Sequence, residues 1–173
     1  PQPSPFEPFA TFRDRGDPTN PSYGAIDTSF PKGQAMRDWL GQPTVQALCP
    51  LPSGQCNNAN QAGKLRIEDP RHNVDEVDDD RATSWITVPN GQRTAHQYIS
   101  FNTPIPAPED QKCGRVVYSD LHVTTADEHG PWPNGCKTTE LTPQEKALEF
   151  MLFDLSSCIQ SDKEPPAPPP PVN

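Results

Sequence analysis

Apolar and polar positions form a clear pattern in only two windows of this chain. Val116, Val117, Tyr118, Leu121 and Val123, opened by Gly114, are a β-branched and aromatic run that predicts a mostly buried strand. A helical run follows. Thr142 stands as its cap, Pro143 takes the first helical position where a missing N–H costs nothing, and Glu145 reaches back to the cap nitrogen as a capping box. From Ala147 to Ile159 the residues Ala147, Leu148, Phe150, Met151, Leu152, Phe153, Leu155 and Ile159 leave little polar face, so a buried helix is predicted.

Weaker patterns fill in the rest. Thr28 to Leu40 predicts a short helix, with Ser29 as cap, Pro31 early, Ala35, Met36, Trp39 and Leu40 as its stripe and Gly41 as its end. Lys64 to Ile67 and Gln97 to Phe101 read as strands. The Pro-, Gly-, Asn- and Gln-rich residues 42–63 read as loop, and 102–111, with three prolines, as a surface connection. Residues 1–24 carry six prolines, which favours an extended arm whose Phe6, Phe9, Phe12 and Tyr23 dock into grooves. Residues 161–173 read as a polyproline linker or tail. The domain proper is thereby expected at 25–160.

Composition narrows the class. Only 32% of the 173 residues are apolar and 24 are proline, so the core is small and local. A net charge of −9 argues against nucleic acid, and no apolar run approaches the roughly 20 residues that span a bilayer. The opening Pro-Gln-Pro-Ser-Pro is not a signal peptide, which suggests a trimmed N-terminus. Cys49, Cys56, Cys113, Cys136 and Cys158 lack the spacing of zinc or redox sites, so disulfides in an oxidising, exported setting are expected.

Geometry suggests their pairing. The strand spans about 30 Å at roughly 3.3 Å per residue and the helix about 24 Å at roughly 1.5 Å per residue. A helix packed back along the strand brings Cys158 beside Cys113, and Cys49 closes a local ring with Cys56. Cys136 is left unpaired or joined to another chain.

Two candidate sites carry chemistry. Asp75, Asp78 and Asp80, within the acidic stretch from Arg71 to Arg81, invite a calcium reading. The stretch lacks the glycine turn and terminal glutamate of a calcium loop, and a solvated acidic loop preceding Ala82 to Ile86 is the better reading. No cofactor is expected.

The second candidate is His122. Gly-Arg-Val-Val-Tyr-Ser-Asp-Leu-His, followed by Thr-Pro-Gln-Glu-Lys-Ala-Leu-Glu-Phe-Met-Leu-Phe-Asp-Leu, resembles the C-terminal end of class I glutamine amidotransferase-like domains. It looks more closely like the last part of large secreted bacterial proteins that couple a carboxypeptidase-regulatory-like domain to such a domain. Ile26-Asp-Thr-Ser-Phe-Pro-Lys-Gly-Gln and Phe101-Asn-Thr-Pro-Ile-Pro extend the resemblance over about residues 25 to 160. It implies the second half of a flavodoxin-like three-layer α/β sandwich. It also puts His122 where those enzymes hold the histidine that serves a nucleophilic cysteine.

Two parts of that machinery are missing. Thr124 stands two residues on where the family has Glu, and no Gly-x-Cys-x-Gly elbow occurs. His122 is then a vestige at the sheet's edge, a base completed by another chain or a missing half, or a metal ligand with Asp120, Asp127 or His129. Trp132 lies between prolines, where it anchors a loop or covers that edge. The function expected is a non-catalytic structural or interaction module of an exported, cell-surface or extracellular bacterial assembly, with another segment or subunit as partner. The alternative is a hydrolase or amidotransferase-like enzyme whose nucleophile lies outside this chain.

Overall fold

Gly91 and Gln92 alone join the two longest strands, β5 (Thr83–Asn90) and β6 (Arg93–Thr103). Gly91 has φ of +63°, the left-handed value that a two-residue hairpin with glycine in its first central position requires. The computed structural model describes residues 8–50, 59–105, 107–123, 140–156 and 159–165. Around this hairpin lie β2 (Ser22–Ile26), β3 (Leu65–Ile67) and β7 (Gly114–Ser119), giving a five-stranded sheet in the order β3-β2-β5-β6-β7. A two-stranded ribbon of β1 (Ala10–Phe12) and β4 (Val74–Val77) packs on one face. Two helices, α1 (Pro31–Leu40) and α2 (Pro143–Ser156), cover the other.

The chain is therefore a mixed α/β fold, as expected, but the flavodoxin-like arrangement is not reproduced. Every strand pairing among the described residues is antiparallel. A flavodoxin-like sheet is parallel and needs a long crossover between neighbours, which a two-residue link cannot supply. The expected domain limits shift for a related reason. Residues read as a surface arm contribute β1 and β2, and Phe9 is buried, its ring stacked on Phe101 at 3.8 Å between centroids. Prolines sit between these strands rather than inside them. At the other end Asp162 is buried, so the fold continues past residue 160.

The sheet has a core on each face. On the helix side Met36, Leu40, Trp85, Ile86, Tyr98 and Met151 are almost wholly buried. On the ribbon side Phe9, Val74, Ile99 and Phe101 pack together. Register irregularities in the β5–β6 pairing at Trp85 and Gln97 change which residues face each core. Ala95 and Tyr98 thereby both serve the helix-side core, although strict alternation would put them on opposite faces.

Local sequence explains the helices. The capping box forms as predicted: the Thr142 N–H donates to Glu145 Oε2 at 2.7 Å, and the Glu145 N–H to Thr142 Oγ1 at 3.2 Å. In α1, Pro31 opens the helix and Gly41 closes it, but the cap is Phe30 rather than Ser29, with no side-chain hydrogen bond. A Cβ on Gly33 would lie 2.0 Å from the carbonyl oxygen of Asp27, so only glycine lets α1 sit this close to the preceding turn. The expectation of a wholly buried α2 is corrected: Gln144, Ala147 and Met151 face inward, while Leu152 and Phe153 are 55% and 59% exposed.

Buried charges fasten α2 to the sheet. The helix does run back along β7, since Gln144 Nε2 donates to the carbonyl of His122 near one end and Asp154 meets Arg115 near the other. Cys113 nevertheless is a free, exposed thiol, so the expected Cys113–Cys158 bridge is not formed. Arg115 occupies the space between strand start and helix end. Its Nε lies 2.7 Å from Asp154 Oδ2, and its other nitrogens reach Asp162 at 2.5 Å and Asn102 Oδ1 at 3.1 Å. Lys32 of α1 completes the network, 2.8 Å from Asp154 and 3.4 Å from Asp162. All four charged side chains are at most 7% exposed.

Removing one member leaves the buried network with one uncompensated charge. Arg115→Met is expected to destabilise the chain by about 3–5 kcal/mol. Adding Asp162→Asn to that variant is expected to return part of the loss. Urea denaturation of the two single variants and the double variant measures the coupling, and additive effects would refute a shared network.

Candidate interaction surface

The chemistry-bearing side chains are mostly turned inward and paired. On the ribbon face Asp75, 4% exposed at its side chain, receives Arg15 Nε at 2.8 Å and Arg93 Nη1 at 3.2 Å. The hydrogen bond from Arg15 holds its carboxyl below the ordinary 3.8, outweighing burial, with the charge of Arg93 adding to the effect. His72, fully buried, stands with Nε2 3.4 Å from Asp75 Oδ1 and Nδ1 2.8 Å from Asn90 Nδ2. Beside them Asp120 accepts from the Asn73 N–H and Nδ2, both at 2.8 Å, and from the Tyr118 hydroxyl at 3.2 Å. Burial first, then the Asp120 charge, push the Tyr118 hydroxyl up to about 12.

This arrangement corrects the calcium reading of the acidic stretch. Asp75 sits in β4 and spends its charge on two arginines. Asp78 accepts from the Asp80 N–H at 3.1 Å in a local turn and pairs with Arg81 at 3.5 Å. The three carboxylates do not converge, and among the described residues no group of three or more His, Cys, Asp or Glu is placed to hold a metal ion. Strand geometry is the reason: β4 buries Val74 and Asp75 against the sheet and leaves Asp78 to Asp80 in the turn beyond.

His122 is exposed, just past the end of β7. Asp120, its nearest acid in sequence, has both oxygens engaged by Asn73, Val74 and Tyr118. No acid is thereby free at Asp120 to orient the imidazole. Thr124, Asp127, His129, Trp132, Cys136 and Cys158 lie outside the described residues. Cys49 is in a disulfide, and Cys56, its expected partner, also lies outside them.

Sequence reading missed Lys32, Arg115, Asp154 and Asp162, and on the other face Arg15, His72 and Arg93. A signal existed for some of them. Arg115 and Asp154 are single charges inside apolar runs, a placement seen mainly where the charge is paired. Their partners were unreadable because Lys32 and Asp154 stand 122 positions apart.

Large apolar side chains remain outside. Leu152, Phe153 and Leu155 project from α2, with Leu141 and Ile159 beyond its ends, each at least 36% exposed. Phe150 turns the opposite way, 5.8 Å from the Trp39 ring of α1 and 6.2 Å from Trp85. Among the described residues no helix is long and apolar enough to cross a membrane. Leu152, Phe153 and Leu155 thus present apolar side chains on the outer surface of α2.

No family model, curated protein or solved structure matches the chain.

The inward and outward faces of α2 differ in what they do for the fold. Met151→Ala is expected to cost about 2–5 kcal/mol, whereas Phe153→Ser is expected to change stability by no more than about 0.5 kcal/mol. Thermal denaturation of both variants checks this, and a large loss in Phe153→Ser would mean that the stripe is covered. Acid is expected to weaken the fold in two steps. Burial, with the neighbouring His72, holds the His96 imidazole below its ordinary 6.5 against the attraction of Asp79, Asp75 and Asp120. The unfolded chain then binds the proton first, so stability declines as pH falls below about 6.5. The depressed Asp75 carboxyl adds a second loss as pH drops below about 3.8. Denaturation midpoints from pH 8 to 3 measure both, and His96→Gln should remove the first step.

Proposed function

We propose that the chain is a non-catalytic structural or interaction module of an exported, cell-surface or extracellular bacterial protein assembly, whose partner is another segment or subunit of that assembly. The exposed stripe of Leu152, Phe153 and Leu155 carries this reading. Apolar side chains of this size gathered on one helix face mark a surface that meets another protein. The paired state of Asp75, Asp120, Arg115 and Lys32 supports it from the other side, because groups already consumed by one another have little left for a substrate. The disulfide at Cys49 suits an oxidising compartment. The bacterial surface setting rests on the sequence resemblance alone.

Catalysis is the reading to exclude by experiment. Purified chain, assayed with glutamine, peptide amides and simple esters, is expected to show no turnover above the uncatalysed rate. Turnover that disappears in His122→Ala would overturn the proposal and restore the enzyme reading.

A further inference from the structure

The two edges of the five-stranded sheet are treated differently. The outer edge of β3 is short and covered: Leu48 bridges Leu65, the Cys49 N–H donates to Lys64 O at 2.9 Å, and the Gly63 N–H donates to Cys49 O at 3.0 Å. The outer edge of β7 has no strand beside it along Gly114–Ser119 among the described residues, and only past its end does Leu121 bridge Pro70. It carries few of the usual guards of an exposed edge. Its six residues, Gly-Arg-Val-Val-Tyr-Ser, include no proline and no lysine, and the one guard is Arg115, whose charge is turned inward, 4% exposed.

Ladder geometry says which backbone groups this edge presents. The Asp120 N–H donates to Gln97 O at 2.8 Å, and β6 pairs with β7 in unbroken register from Tyr98↔Ser119 to Thr103↔Gly114. Antiparallel alternation then points the N–H groups of Val116 and Tyr118 at β6 and those of Arg115, Val117 and Ser119 outward. Helix α2 packs against both β3 and β7, reaching β7 at its C-terminal end through Asp154 and Arg115, while α1 packs on β2. Phe150 faces α1, and at about 100° per residue Leu152 lies on the opposite side of the helix, away from α1. Charge around the edge is negative. The exposed Asp110 stands before the strand and Glu149 lies on α2, while Glu109 and Lys112 neutralise each other.

We infer that β7 accepts a sixth strand: an extended segment of a partner protein, apolar at alternate positions toward the α2 flank that carries Leu152 and Leu155, with basic residues at its ends to meet Asp110 and Glu149. The inference rests on the interaction-module reading and specifies its surface. Backbone hydrogen bonds to Arg115, Val117 and Ser119 supply affinity, and the α2 flank and the acidic rim supply selectivity. A second copy of this chain is the poorer occupant, because each copy brings a net charge of −9 and the same acidic rim.

The test uses the whole chain and a synthetic peptide, Lys-Lys-Val-Thr-Val-Thr-Val-Lys-Lys. Amide exchange followed by NMR should find Arg115, Val117 and Ser119 fast in the free chain, Val116 and Tyr118 slow, and the first three slowed by the peptide. A peptide N-methylated at alternate residues should lose binding, and one with glutamate in place of its lysines should bind about tenfold more weakly at low salt, a difference that high salt removes. Leu152→Glu, on an exposed position, should weaken binding about tenfold without altering the thermal midpoint. Val117→Pro removes one outward N–H that takes no part in the β6 ladder and should weaken it further. Slow exchange of all five amides in the free chain would overturn the inference, since the edge would already be covered. So would protection that rises with chain concentration alone, or peptide binding that leaves these amides fast. In that last case the interaction-module reading survives and only its surface is wrong, whereas turnover lost in His122→Ala would strike the reading itself.

Discussion

Four buried charges decide how this molecule is put together. Lys32, Arg115, Asp154 and Asp162 come from α1, β7, α2 and the segment after it, so a single network ties both helices to the far end of the sheet. The ion pairs sum to zero, which is the condition for tolerating charges in so dry a place. Ser100 and Trp85 are drawn into the same arrangement. The indole N–H of Trp85 donates to Ser100 Oγ at 2.7 Å, Ser100 donates to Asp162 at 2.8 Å, and the Arg115 guanidinium stands 5.9 Å over the Trp85 ring. A small core gains orientation from such a network more than it gains net stability, because each ion gives up its water first.

The opposite face solves the same problem with a second set of partners. Asp75 gathers two arginines and stands beside a buried histidine, and Asp120 holds the backbone of Asn73 and Val74. These contacts pin the β1–β4 ribbon, which is too short to be stable by itself, onto β6 and β7. The edge-on contact of Phe12 with Tyr118 and the stack of Phe9 on Phe101 add apolar burial to that seam. The acidic composition is thus partly structural. Carboxylates that look like surface charge in the sequence hold both faces of the sheet.

Because these groups answer one another, the chemistry left for the outside world is mostly apolar and backbone. The exposed leucines of α2 offer side chains, and the outer edge of β7, which has no strand beside it among the described residues, offers backbone N–H and C=O groups. Under the proposed reading, that combination serves recognition of an extended chain.

Several elements were legible from the residues alone, and they are those whose cause is local. The capping box at Thr142 and Glu145, Pro31 at the start of α1, Gly41 at its end and the β runs at 65–67, 97–101 and 116–119 depend on neighbours within a turn or two. Gly91 is an equally local hairpin signal, and the hairpin it closes excludes a parallel pairing of β5 with β6. What only the tertiary structure decided is pairing across distance. Proline density hid β1 and β2, because a strand can run between prolines when a partner waits to receive it. Net charge hid β4, because Asp75 is buried only through Arg15, 60 positions away, and Arg93. The expected clamp of Cys113 to Cys158 correctly placed the end of α2 near the start of β7. Its chemistry was settled by Arg115, whose bulk and charge already filled that space and left Cys113 outside. Periodicity reports which side of an element is apolar, whereas the partner of a charge is chosen in three dimensions, where the low dielectric of the interior leaves an unpaired ion no alternative.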